Sequence, residues 1–461
     1  MGRKGGQDSL LTCPGRLRVP DQTDFASRGR LLDRYFKLAE NHTTVRQEML
    51  GGLTTFVTMA YIIVVNPQIL SQAGMPAEGV VFATCLSAAV ATLVMGLYAN
   101  YPIALAPGMS LNAYFTYSVC MAMHIPWQTA LAVVFLSGLL FLILTVTRVR
   151  EQIVNGMPDC VKHSTAAGIG MFIAFVGLRN AKLVVANPAT FVGLGSFAEK
   201  DVQAACFGLA LTLVLMARRI HAAFLLGIIG TSLLGMLRGI SSWPSRVFSM
   251  PQPSSTFLRI DFRGAIHLGL FEILFAFLFV DLLDNIGTLV GVCEQGGFIK
   301  DGKIPRVGRV LVADSIGTMF GALTGTSTVT SYIESAAGVA AGARTGLSNL
   351  AVAALFFLAM FCAPLAIAIP AYATAPALIL VGVLMAQSIP LIKWSDFSEA
   401  LPAFITILAM PLSFSIATGL SLGVISYTVV KVAAGKFSDI NTLVWVLTVL
   451  FLLRYIYLAA A

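Results

Sequence analysis

Three carboxylic acids and one carboxamide stand inside stretches that are otherwise too apolar to carry them. Asp281 and Asp284 interrupt LGLFEILFAFLFVDLLDNIGTLVGV (residues 268–292), Glu334 lies in GTSTVTSYIESAAGVAAG (residues 325–342), and Asn112 lies in IALAPGMSLNAYFTYSV (residues 103–119). A carboxylate near the middle of a membrane helix costs about 2.5 to 3.5 kcal/mol on insertion scales, so it faces protein or a water-filled cavity instead of lipid. Burial and a second carboxylate nearby both favour the protonated form, so such a group can take up and release a proton. Carboxylates also accept hydrogen bonds from N–H groups, and an asparagine both donates and accepts. The chemistry on offer is proton exchange and recognition of a polar ligand edge.

Other chemistries find less support. The five histidines show no HExxH or paired spacing, and the seven cysteines (13, 85, 120, 160, 206, 293, 362) stand singly with no CxxC, so neither a metal site nor a cofactor is expected. Most of those cysteines fall in apolar runs and read as packing residues. An intramembrane aspartyl protease also buries two acids, but its pair comes from different helices with a GxGD segment. Here the pair is spaced i,i+3 on one helix and GxGD is absent. The expectation is a transporter with no catalytic residues, not an enzyme.

The elements that must position these groups are membrane helices. Of 461 residues, 57% are hydrophobic and 11% charged, against about 25% charged in ordinary soluble proteins. Runs long enough to cross a bilayer, about 20 apolar residues, fill the chain from Met49 onward. The net charge of +8 comes from a leader and short loops; it reads as topology, not as nucleic-acid binding, and argues for a cytoplasmic N-terminus. Residues 1–48 are a polar leader with a short amphipathic helix expected near 31–38. No apolar run of signal-peptide type follows the early bases, and Gly6 breaks the myristoylation pattern.

Fourteen spans are expected. Span 1 covers residues 50–70, span 2 80–98, span 4 127–146, and spans 5 to 7 164–185, 204–216 and 222–237. Span 8 is the acid-bearing stretch; span 9 covers 310–323 and spans 11 and 12 347–369 and 375–389. Residues 402–430, broken by Pro411 and Gly419, supply spans 13 and 14, and the run 441–458 is placed at the interface. Span 3, with Pro107 and Gly108, and segment 10, rich in Gly, Ser and Thr, read as broken, because freed backbone groups are tolerated only inside protein or beside a cavity. Asp314 and Glu272 read as structural or interfacial.

The halves correspond at an offset of about 220 residues, pairing span 3 with 10, span 1 with 8 and span 4 with 11. With seven spans per half, the second copy is inverted. Interrupted segments at matching positions of an inverted repeat point to a binding site near the midplane.

TTFVTMAYIIVVNP (residues 54–67), APGMSLNAYF (106–115), FVDLLDNIGTLVG (279–291) and GTSTVTSYIESAAGVAAGARTG (325–346) resemble the signatures of the AzgA-type purine permeases, within the nucleobase and ascorbate transporter superfamily. The resemblance implies an all-α polytopic fold of about fourteen segments in two inverted seven-segment repeats, the UraA-like fold, with short strand-like breaks in segments 3 and 10. It implies a core domain (residues 49–148 and 264–370) that moves against a gate domain (149–240 and 371–436), leaving 437–461 as a hydrophobic tail.

By the same resemblance the substrate is adenine, guanine or hypoxanthine, imported with a proton across a plasma or inner membrane. Substrate binding falls to Asn112, Asp281, Asp284, Thr288 and Glu334, and proton coupling to Asp284 and Glu334. Uracil carriers have glutamate at the position of Asp284 and histidine at that of Thr288, so the residues here fit the purine branch. Tyr61, Tyr114, Phe115 and Tyr332 are candidates to stack on the base. The partners are thus a purine, a proton and the bilayer, and homodimer formation stays open. Carriers of another nucleobase and anion exchangers of the same fold are the alternatives, though three carboxylates repel an anion unless protonated.

Overall fold

A computed structural model describes residues 29–147, 157–244, 246–251, 255–267, 271–299 and 304–460. The leader up to residue 28, Cys13 with it, and parts of two basic loops (148–156, 300–303) lie outside the described residues, as do the side chains of Glu272 and Arg454. The short helix expected ahead of the first span is there, at Gly29–Phe36. Thr44 then opens span 1 with a reciprocal capping box to Gln47, satisfying two of the amide groups a helix start leaves without partners.

The spans follow in order. Span 1 is Val45–Ala73, span 2 Ala77–Ala99, span 4 Trp127–Val146, span 5 Asp159–Asn180, span 6 Lys200–Ala217 and span 9 Val307–Thr324. Span 11 is Leu347–Ile367, span 12 Ala371–Leu391, and span 14 Ile416–Ala433. The shorter Ala223–Leu237 and Phe397–Ser413 are spans 7 and 13, and span 8 is Phe271–Gly296. Span 1 bends at Ala60–Tyr61 between helices Val45–Met59 and Ile62–Leu70. Pro67, six residues on, has no N–H to give the carbonyl of Ile63, which loosens the helix at that turn.

Spans 3 and 10 are broken as expected. Span 3 begins as strand β1 (Leu105–Pro107), then turns into helix from Met109 to Ala122. Two further strands, β2 (Val184–Asn187) and β3 (Phe191–Leu194), follow span 5. Segment 10 begins as β4 (Val329–Ser331) and continues as helix Ser335–Ala340. β1 and β4 pair antiparallel, Leu105 with Ser331 and Ala106 with Thr330. The repeats thus meet where each is broken.

Their outer edges are closed by matching residues. Thr92 of span 2 accepts from the Leu105 amide and donates to its carbonyl, both at 2.9 Å. Thr318 of span 9 donates to the Val329 carbonyl at 2.9 Å. Span 2 and span 9 occupy the same place in their repeats, so each lends one hydroxyl to its own strand. Gly108 has no room for a side chain, because a Cβ would lie 2.8 Å from Thr330 Cγ2.

Three expectations change. The break between spans 13 and 14 is at Phe414 (φ 50°), with Pro411 and Gly419 inside helices. Pro411 sits in the last turn of its helix and forfeits one bond, whereas Ser415 caps span 14 through the Thr418 amide at 3.2 Å. Span 5 ends five residues earlier than expected, at Asn180, and the β2–β3 hairpin takes up the apolar run that continued it. The final helix, Thr442–Ala460, does not lie flat. It runs antiparallel to span 14, with Thr448 against Thr428 at 2.7 Å and Tyr455 against Ser421 at 2.8 Å.

The tightest helix pairs are span 5 with 12 and 13, span 13 with 14, span 9 with 4, span 6 with 7, and span 11 with 1 and 2. Spans 5 and 12 touch backbone to backbone, since a Cβ on Gly170 would lie 2.9 Å from the Gly382 carbonyl oxygen. Small residues permit such approach in membranes, where packing replaces hydrophobic driving force. Gly170→Val should therefore destabilise the protein by about 1–3 kcal/mol, the usual cost of overpacking. A thermal melt of the purified chain in detergent checks this, and an unchanged melting temperature contradicts the close crossing.

Candidate functional site

The two strands turn the start of both half-helices toward span 8. The Gly108 amide donates to the Thr328 carbonyl and the Tyr332 amide to the Ala104 carbonyl, each at 3.0 Å. The Tyr332 hydroxyl closes the pair by donating to the Pro107 carbonyl at 2.6 Å. With β1 and β4 joined this way, Ser110 and Asn112 follow from one repeat and Glu334 from the other.

Asp284 and Glu334 are half-buried and lie within electrostatic range of one another. Each is held by one neutral hydroxyl from another segment. Ser110 Oγ donates to Asp284 Oδ2 at 2.9 Å, joining span 3 to span 8. Tyr61 OH donates to Glu334 Oε1 at 2.6 Å, joining the bend of span 1 to segment 10. Thr58 Oγ1 adds a bond to the Glu334 carbonyl at 3.4 Å. Neither carboxyl forms an ion pair among the described residues. One oxygen of each acid is thereby left for a proton or an N–H donor.

The other sequence candidates take different places. Thr288, one turn beyond Asp284 on span 8, is half-buried on the same face. Asn112 is fully buried; its Oδ1 accepts from Ser327 Oγ, and its Nδ2 has no partner among the described residues. It ties the two broken segments together and keeps a donor in reserve. Asp281, one turn before Asp284 on the same face of span 8, is fully buried like Asn112.

The aromatic candidates also sort by neighbour. Tyr61 packs on Phe224 of span 7 with ring centroids 5.3 Å apart, and Tyr114 packs edge-on against Phe277 of span 8 at 5.0 Å. Phe224 is the residue that sequence reading missed, because span 7 carries no buried charge and looks like scaffold. At the end away from the leader, Ser118 Oγ donates to the Phe414 carbonyl at 2.8 Å, and the Arg179 guanidinium lies 5.8 Å from both the Tyr117 and Phe414 ring centres. Gln68 of span 1 reaches the Ile369 carbonyl at 2.6 Å and also takes the Thr374 hydroxyl of span 12. These contacts join span 3 to the break after span 13, and span 1 to span 12, at that end of the molecule.

Residues 46–422 match the family model described as "Permease family". The chain is 53% identical to a putative permease of Methanocaldococcus jannaschii over 93% of its own length and 99% of that protein's. It is 43% identical to the adenine permease AdeP of Escherichia coli, covering 93% of this chain and 97% of that one. It is 44% identical to the guanine/hypoxanthine permease PbuO of Bacillus subtilis, covering 91% and 99%. Among solved structures, the transmembrane domain of the cyanobacterial bicarbonate transporter BicA superposes with a TM-score of 0.62 at 17% identity, covering 81% of this chain and 97% of that one. That last likeness is one of fold.

Removing the Asn112 carboxamide strands the Ser327 hydroxyl in a buried setting, which costs about 1–3 kcal/mol, whereas replacing both partners by apolar groups is close to neutral. Asn112→Leu should therefore melt at a lower temperature than the double variant Asn112→Leu/Ser327→Ala. Strictly additive losses in that cycle contradict the pairing.

Proposed function

The chain belongs to the permease family, and from that premise we propose that it imports purine nucleobases by proton symport. The single observation that carries this reading is that Asp284 of span 8 and Glu334 of segment 10, within electrostatic range of one another, are each held by a neutral hydroxyl from another segment. A purine presents N–H donors and ring-nitrogen acceptors along one flat edge. The free carboxyl oxygens accept from its N–H groups, Thr288 and Asn112 Nδ2 supply donors for the acceptor positions, and the backbone amides at the start of the span 3 half-helix complete the edge. Asp281 supports span 8 from within. Relatives that are adenine and guanine/hypoxanthine permeases point to the same substrates.

Two carboxyls within electrostatic range in a medium of low dielectric can titrate as a coupled group. One proton on the pair removes the repulsion between two charges and lets one acid donate while the other accepts. A base bound across both then travels with that proton, and release of either on the far side favours release of the other. The fold likeness to an anion transporter says nothing of cargo, and a wall of acids with no cation paired to it among the described residues disfavours an anion.

For the movement, spans 1–4 and 8–11 act as a core domain and spans 5–7 and 12–14 as a gate, in line with the packing pairs inside each group. The core slides past the gate and carries the site with it. Gln68 and Thr374 join the two groups at one end, and they part in the other state. The basic residues Arg218, Arg219, Lys393 and Lys436 sit on the leader's side of the bundle, which supports a cytoplasmic N-terminus in the cell membrane.

Uptake of labelled adenine, guanine and hypoxanthine, with uracil and sulfate as controls, tests the substrate. Purines should accumulate and an uncoupler should abolish the accumulation. Glu334→Gln and Asp284→Asn should each lower uptake roughly 10- to 100-fold, since a hydrogen bond to a charged group is worth about 1.5–3 kcal/mol. Uptake and uncoupler sensitivity unchanged in both variants would sink the proposal. In a cysteine-free background, oxidising the pair Gln68→Cys/Thr374→Cys should stop uptake and a reductant should restore it; full activity in the cross-linked protein contradicts a sliding core.

A further inference from the structure

Away from the acids, a cavity of about 320 Å³ opens between spans 1, 7 and 11 beneath Trp243 and Pro244. Its inner wall is Ala60, Ile63 and Val64, the turn of span 1 that also carries Tyr61, and these are buried. No charged residue lines it among the described residues. The one hydroxyl among the described lining residues, Ser232, is already committed to the Ile228 carbonyl at 2.8 Å. A nucleobase would therefore leave its own polar edge unpaired there. Water finds too few partners, and apolar cavities of about 150 Å³ already stay dry and take up apolar guests.

The mouth indicates the guest. Ile229 and Leu233 on span 7 and Leu365 on span 11 line the cavity yet are 48%, 45% and 42% exposed. These residues lie within spans, so the opening faces the bilayer, and Trp243, 59% exposed, stands at its rim. Aromatic rings of this kind favour the headgroup level. We propose that the cavity is a binding site for one acyl chain of a membrane phospholipid, with its headgroup near Trp243. The chain fills the space between spans 1 and 11 on one side and span 7 on the other. That it wedges core against gate rests on the two-domain reading above; that it binds does not.

Bromine-labelled phospholipid acyl chains quench a nearby indole. A full-length variant that keeps Trp243 as its one tryptophan (W127F, W394F, W445F) is reconstituted in liposomes with rising fractions of brominated phospholipid. Quenching should exceed the bulk-lipid curve at low fractions. That excess should vanish on adding Ala366→Phe, which fills the cavity from span 11, or Ser232→Leu, which fills it from span 7. Having two variants keeps the test readable if one fails to fold, as judged by size-exclusion profile. Quenching that follows the bulk curve in the parent and both variants overturns the proposal. So does quenching by a brominated detergent in micelles with no excess from brominated phospholipid in liposomes, which marks a detergent site only. Neither readout depends on transport, so a failure here leaves the purine reading standing, and the reverse holds.

Discussion

Everything in this molecule depends on how two strand breaks in the middle of a membrane protein satisfy their backbone. Each break exposes amides and carbonyls where lipid offers no partner, and one unpaired group there costs several kcal/mol. The chain meets the cost by breaking twice and pairing the breaks. β1 and β4 supply one another's bonds, while Thr92 and Thr318 close the outer edges. Neither repeat can be broken this way alone. The inverted duplication is thus a condition for the site, because it brings two interrupted segments to one place in opposite directions.

From that pairing the polar groups follow. Residues just beyond a strand that ends inside the protein can point a side chain into the interior, where a continuous helix would present it to its neighbours. Ser110, Asn112 and Glu334 use those positions, and span 8 passes close enough for Asp284 to meet them. Both carboxyls stay half-open because their hydroxyl partners satisfy only one oxygen. A cation in either place would occupy the acids, and an apolar residue would leave them unsupported. Tyr61 has a further role, since the bend that aims it at Glu334 also forms the wall of the apolar cavity.

Much of this was legible in the sequence, for physical reasons. Pro107 with Gly108, and the Gly, Ser and Thr run from Gly325, announce breaks because those residues free or crowd the backbone wherever they stand. Acids in apolar helices likewise mark a protein-facing surface. The partners were not legible. Nothing in local sequence couples Tyr61 to Glu334, 273 positions away, or Ser110 to Asp284, 174 positions away. Asn112 and Asp284 look alike as polar residues in apolar runs, yet one is sealed by Ser327 and the other is half-open. The β2–β3 hairpin was missed because its Val and Phe residues continue an apolar run, and the end of a span cannot be read from hydropathy when a sheet follows it. Gly419 misled in the other direction: it suggested a break, whereas its missing Cβ lets span 14 lie against Met410.

Transport by this protein turns on where a purine binds. A cryo-electron microscopy map of the full chain with hypoxanthine tests that directly. The ring should lie between the ends of β1 and β4 and span 8, with its N–H edge within hydrogen-bond distance of Asp284 and Glu334. Density for the base elsewhere, with neither carboxyl in contact with it, would contradict that placement.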